Sequence, residues 1–165
     1  MKSKFESRVR VRERKKTMTF GELIDGLGKN LGLELADEGG ATAVEVDGIP
    51  VVLHAANDDL LLIHADIGEI APDSRERVFA AAMEANFLYQ GTGGSTLAVD
   101  SRDGHLHLQK YNWLDRLDAE KAVADIARFA ETVNVWKKLV AETAANAPAA
   151  DGGSSAPVPG GFMQV

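Results

Sequence analysis

Four histidines carry the most obvious chemistry in the chain. His105 and His107 lie two apart in a run of alternating residues, which puts both on one face of a strand, as the start of a two-ligand metal site would require. His54 and His64 flank Asn57-Asp58. A two-residue turn there pairs 56 with 59, and hence 54 with 61 and 51 with 64, so His54 and His64 are expected on opposite faces. On that reading no three-ligand set converges, and no cysteine exists to complete one. The histidines therefore read as surface or strand-pair residues, and no metal is expected. Gly91-Thr92-Gly93-Gly94 invites comparison with a phosphate loop, but such loops follow a strand and open a helix. Here a helical pattern precedes the glycines and a strand pattern follows, with no Lys-Ser or Lys-Thr pair. A helix end and turn is the reading, and no cofactor is expected. Asp37-Glu38 and Asp58-Asp59 sit at turns, where carboxylates are solvated. Ser95 and Ser101 lack the Gly-x-Ser-x-Gly elbow of a nucleophile. The chain is not expected to be an enzyme. A small-ligand or metal-binding enzyme using the His/Asp-rich sheet stands as the rival from another class.

The 165 residues are 45% hydrophobic and 26% charged, ordinary values for one globular domain with tails. The absence of cysteine removes disulfide scaffolds, thiolate zinc and iron–sulfur sites and cysteine nucleophiles, and fits a reducing cytoplasm. No apolar run approaches the roughly 20 residues a membrane helix needs, and the basic N-terminus has no apolar segment behind it to make a secretory signal. Residues 1–17 hold eight basic residues against Glu6 and Glu13, so a formal charge of −7 overall leaves the remainder at −13. A surface that acidic repels nucleic acid and anionic membrane. Neither is expected as a partner.

The elements that must position any site follow from the periodicity. Thr19 with Glu22 is a capping box, and Phe20, Leu23, Ile24, Leu27 and Leu31 form the helical stripe behind it, ending near Gly32. Gly26 and Gly28 weaken that helix by about 1 kcal/mol each relative to alanine, and would let another chain approach closely. From 33 to 66 the period changes to two. Runs at 33–35, 41–46, 49–56 and 59–65, with turns at Gly39-Gly40, Asp47-Gly48 and Asn57-Asp58, predict three or four antiparallel strands in a meander. Asp73 is expected to cap a helix over 74–90. Strands follow at 95–100 and 105–110, and Asp118 caps a final helix over 119–145. The fold class is α+β: helix, meander, helix, two strands, helix. The domains read as a basic arm (1–18), an α+β domain (19–145) and a disordered Gly/Pro/Ala/Ser tail (146–165).

Six segments in this order resemble a known family. They are Leu27-Gly28-Lys29-Asn30-Leu31-Gly32-Leu33, Val46-Asp47-Gly48, Leu61-Leu62-Ile63-His64-Ala65-Asp66-Ile67-Gly68, Ala85-Asn86-Phe87, Thr92-Gly93-Gly94-Ser95-Thr96-Leu97-Ala98-Val99-Asp100, and Leu117-Asp118-Ala119-Glu120 leading to Phe129 and Trp136. The chain is similar to class I type III secretion chaperones of the Tir-chaperone (CesT-like) family over about residues 19–142. It departs from them in the extra residues at both ends. The resemblance implies a non-enzymatic homodimer in the bacterial cytoplasm, with no cofactor, that holds the N-terminal segment of a secreted effector in a non-globular form. A regulatory or scaffold protein of the same fold is the alternative.

Two surfaces are expected to do that work. Phe79, Met83 and Phe87 recur at i, i+4 and i+8 while Val78 and Ala82 face the core, more apolar surface than one packing face needs. With Leu97 of the following strand, these predict the dimer interface. The meander strands read as apolar on both faces, and one face must cover the helices. Val44, Val46, Leu61 and Ile63, with Leu33, Leu35 and helix residues Phe20 and Leu23, are the expected client surface.

Overall fold

The computed structural model describes residues 18–146, so the expectations for the basic arm and the tail lie outside the described residues, apart from Met18 and Asn146 at their ends. The elements run α1 (Phe20–Leu31), β1 (Ala41–Val46), β2 (Ile49–Asn57), β3 (Leu60–Glu69), α2 (Arg75–Asn86), β4 (Thr96–Val99), β5 (His105–Trp113) and α3 (Ala119–Ala145). The five strands form one antiparallel sheet in the order β1-β2-β3-β5-β4. The α+β class is as expected, with three strands in the meander.

The capping box forms in full: Glu22 N donates to Thr19 Oγ1 at 3.2 Å, and Thr19 N donates to Glu22 Oε2 at 3.0 Å. Gly32 ends α1 in the left-handed region at φ +66°. The run at 33–35 is not a strand. The Leu33 amide donates to the Gly28 carbonyl at 2.9 Å, so it caps the helix instead of entering a ladder. The helix glycines admit close neighbours from the same chain. A Cβ on Gly28 would lie 2.7 Å from the Leu33 carbonyl oxygen, and one on Gly26 would lie 2.8 Å from the Ala119 Cβ.

Asp47-Gly48 turns with φ positive at both residues, the primed hairpin geometry that matches strand twist. The next hairpin turns one residue later than its sequence suggests. Asn57 pairs with Leu60, Asn57 Oδ1 accepts from Asp59 N, and the register shifts between Ala55 and Asn57. This bulge restores the alternation that puts Leu61, Ile63 and Ala65 inward with Val51 and Leu53. The inner face is covered by α3, whose stripe of Ile126, Phe129, Val133, Trp136 and Val140 is buried, and α3 in turn packs on α1. Trp136 Nε1 donates to the Gly91 carbonyl at 3.0 Å.

The second helix begins and ends differently from expectation. Pro72–Ser74 forms a single 3-10 turn, and Ser74, not Asp73, stands at the N-cap, its buried hydroxyl bonded to the Ala71 carbonyl at 3.0 Å. The helix stops at Asn86 because that side chain has another task. Asn86 Oδ1 accepts from Leu97 N at 2.9 Å and Asn86 Nδ2 donates to Leu97 O at 3.1 Å, so the amide pairs with β4 as a strand neighbour would. Leu88 and Tyr89 then take φ +52° and +56°, a left-handed pair of non-glycine residues that costs about 1–2 kcal/mol each. The strand expected at 105–110 continues to Trp113, opposite Leu60.

Candidate functional site

The expected dimer residues divide between two faces. Val78, Ala82 and Leu97 are buried within the chain. Phe79, Met83 and Phe87 are exposed, at 38%, 72% and 67%. The left-handed turn adds Leu88 and Tyr89 beside them, both exposed. Five large apolar side chains thus stand in a continuous stretch of α2 and its exit, more than an isolated surface helix tolerates. Leu88 and Tyr89 were missed in sequence because a helix to residue 90 would have turned them elsewhere.

The expected client surface is corrected more heavily. Leu23, Leu61 and Ile63 have no accessible surface, and Phe20 and Val44 are buried. The physical reason is strand parity: the face holding Val44, Leu61 and Ile63 is the one that α3 covers, with α1 packed on α3, so these residues are core. Leu33 stands out into solvent, while Leu35 and Val46 pack partly against the core. Ile24, Gly28, Leu33 and Leu35 border a depression of about 380 Å³, with Asp25, Lys29 and Glu34 at its rim. It lies along the segment that was expected to be a strand.

On the outer face of the sheet, Leu60 pairs with Trp113 and Leu62 with Tyr111. Both aromatics are exposed. Sequence reasoning ended β5 at residue 110 and missed them; the alternation continuing to Trp113 was the available signal.

The histidines gather on this same outer face. His54 pairs with Leu62 and Val52 with His64, so His54 and His64 share a face, contrary to the register read from a 57–58 turn. His64 Nε2 and His107 Nδ1 are 3.0 Å apart, with the rings stacked at 4.9 Å. His105 Nδ1 meets the Asp66 carboxylate at 3.0–3.1 Å. Desolvation pushes the His64 pKa down, helped by the charges of His107 and His54 and opposed by Asp66. The hydrogen bond to Asp66 pushes His105 up. Asp100 is held far below the usual carboxylate range by hydrogen bonds from Arg102. Asp100, Asp103 and His107 bring one ligand atom each within 4.8 Å of one another, a three-donor set that the sequence did not reveal.

The model of the Tir chaperone protein (CesT) family matches residues 22–137, well over half of the chain. The chain belongs to this family. The fold is shared with solved structures. A chain of the complex between the Yersinia pestis type III secretion chaperone SycH and a fragment of YscM2 superposes with a TM-score of 0.60 at 19% identity, covering 72% of this chain and 99% of that one. A chain of the ExoU–SpcU complex from the type III secretion system of Pseudomonas aeruginosa gives 0.59 at 17% identity, covering 71% and 96%. YbjN of E. coli, described as a putative transcription regulator, gives 0.52 at 14%, covering 72% and 88%. No curated protein matches the chain in sequence. Within this CesT-family chain no helix among the described residues is long and apolar enough to cross a membrane.

Proposed function

We propose that this CesT-family protein is an effector-binding chaperone of a type III secretion system. It acts as a non-enzymatic cytoplasmic homodimer that keeps the N-terminal segment of a secreted protein non-globular until export. The family match over residues 22–137 carries the reading. The fold shared with chains of chaperone complexes from Yersinia and Pseudomonas supports it.

The geometry suits the task. Phe79, Met83 and Phe87, extended by Leu88 and Tyr89, are the proposed dimer contact. The client is proposed to lie along the Ile24–Leu35 depression and Val46, beside the open edge of β1, where an extended segment can add as a strand. The buried members of the expected client set serve by holding α1 and β1 in place. The acidic domain favours a polypeptide partner over nucleic acid.

The test is co-expression of the full chain with the N-terminal segment of a secreted protein encoded beside it. A complex of two chaperones with one protease-sensitive segment is expected, weakened about tenfold or more by Leu35→Asp, the scale of losing ~1.4 kcal/mol of apolar contact. Failure of every neighbouring secreted protein to bind would refute the reading. YbjN favours a second reading, a regulatory protein of the same fold without a secreted client. In that case the partner recovered would be a resident cytoplasmic protein.

A further inference from the structure

The hairpin joining β4 to β5 holds a cluster that neither the proposed dimer contact nor the client surface uses. Asp100 follows the last residue of β4, Asp103 lies in the turn and His107 is the third residue of β5. Their ligand atoms fall within 4.8 Å of one another. A metal with bonds of about 2.0–2.2 Å needs such atoms within roughly 4.4 Å at most, so a small rotation of the half-buried Asp100 and the exposed Asp103 side chains closes the set.

The state of His107 is a separate observation. Its Nδ1 meets His64 Nε2 at 3.0 Å, which fixes the ring's orientation and leaves Nε2 as the outward-working nitrogen. Nε2 is buried and has no hydrogen-bond partner among the described residues. A buried polar nitrogen is rarely left so, and a ring held at one nitrogen, with the other unpartnered and two carboxylates close by, is the arrangement of a ligating histidine. Asp103 uses Oδ1 to accept from His105 N at 2.9 Å. Asp100 accepts from Arg102 through both oxygens. Arg102 therefore occupies the position a cation would take against Asp100, and acts as its competitor.

We propose that Asp100, Asp103 and His107 form a binding site for a divalent first-row transition-metal ion, with water or a partner's donor completing the shell. Two carboxylates and one imidazole, without sulfur, suit zinc, nickel or cobalt, whereas magnesium and calcium prefer an all-oxygen set. The ion would tie the 100–104 turn to the outer face of the sheet at the histidine cluster. The site does not depend on the chaperone reading.

The test is titration of the full, EDTA-stripped chain with zinc chloride by calorimetry at about pH 7.5, with cobalt absorption reporting the ligand set. One zinc per chain with a Kd of about 10 µM or tighter is expected, and no heat from magnesium or calcium at the same concentrations. Asp103→Ala and His107→Ala should each weaken zinc at least tenfold. Arg102→Ala should tighten it about threefold by freeing Asp100. His54→Ala, on the same face but outside the set, should leave it unchanged. Circular dichroism checks each fold; if His107→Ala unfolds, the two exposed turn variants decide. Zinc binding weaker than about 100 µM, wild-type binding by Asp103→Ala, or an equal loss in His54→Ala would overturn the site.

Discussion

Gly26→Ala tests how closely the first and last helices approach. The added methyl would sit 2.8 Å from the Ala119 Cβ, whereas two carbons prefer about 3.5–4.0 Å. The crossing of α1 and α3 must therefore open by roughly 1 Å. Overpacking of this kind costs about 1–3 kcal/mol, while replacing a helical glycine by alanine returns about 1 kcal/mol. The net expectation is a loss of about 1 kcal/mol, or about 4 °C in Tm for a domain of this size. Ala119 cannot simply retreat, because it is the first residue of α3 and Asp118 Oδ1 caps that end by accepting from Lys121 N at 2.8 Å. Removing the opposing methyl should cancel the effect. Ala119→Gly alone costs a few tenths of a kcal/mol at this terminal position, yet the double variant should be more stable than the sum of the two by at least about 1 kcal/mol. Urea denaturation followed by far-ultraviolet circular dichroism measures all four corners of the cycle. Protomer concentration must be equal throughout, since dimerisation adds to apparent stability. If Gly26→Ala gains the full helix-propensity benefit and the coupling stays within about 0.5 kcal/mol, the close approach is wrong.

Met83→Glu should convert a species of twice the chain mass to one near 17.6 kDa by light scattering. Its circular dichroism should show the fold retained, because Met83 is 72% exposed and contributes little to the monomer's core. Asn86→Ala removes both partners of Leu97 on the outer side of β4, and should cost about 2 kcal/mol in urea unfolding, with faster amide exchange at Leu97. In Asp125 burial favours the protonated form, but hydrogen bonds from Arg128 and Lys110 outweigh it and the pKa falls below 3.8. Its contribution to stability is thus present above 3.8 and lost as pH falls further toward the folded-state pKa. Urea midpoints should show Asp125→Asn destabilised near neutrality and nearly level with wild type at the acid end; a constant gap across that range would contradict the assignment.

Much of the fold was legible because it rests on local chemistry. Thr19 and Glu22, Asp47-Gly48 and Asp118 each specify a cap or turn within four residues, and α3 ran over its expected 119–145. What failed was decided by contacts between elements. Leu33 and Leu35 alternate like a strand, but the Gly28 carbonyl claims the Leu33 amide. Helix α2 carries apolar residues past 86, but Asn86 turns its amide to Leu97. The surface suffered most. A sheet apolar on both faces does not declare which face a helix will cover, so Leu61 and Ile63 were placed outside and Tyr111 and Trp113 were overlooked. One residue of slip at Asn57 also moved His64 to the wrong side and hid the histidine cluster, since strand parity converts a single bulge into a change of face.

The amide of Asn86 has a consequence for how copies of the chain can join. Leu97 is central to the short edge strand β4, and its outward N–H and C=O are already taken. A sheet with two open edges can grow without limit, each added chain presenting a fresh edge to the next. With Leu97 closed, the β1 edge is the side left for the strand addition proposed for the client, while copies of the chain are proposed to meet through Phe79, Met83 and Phe87. The side chain of one asparagine thereby interrupts continuous strand addition on the β4 side of the sheet and confines growth by edge pairing to the β1 side.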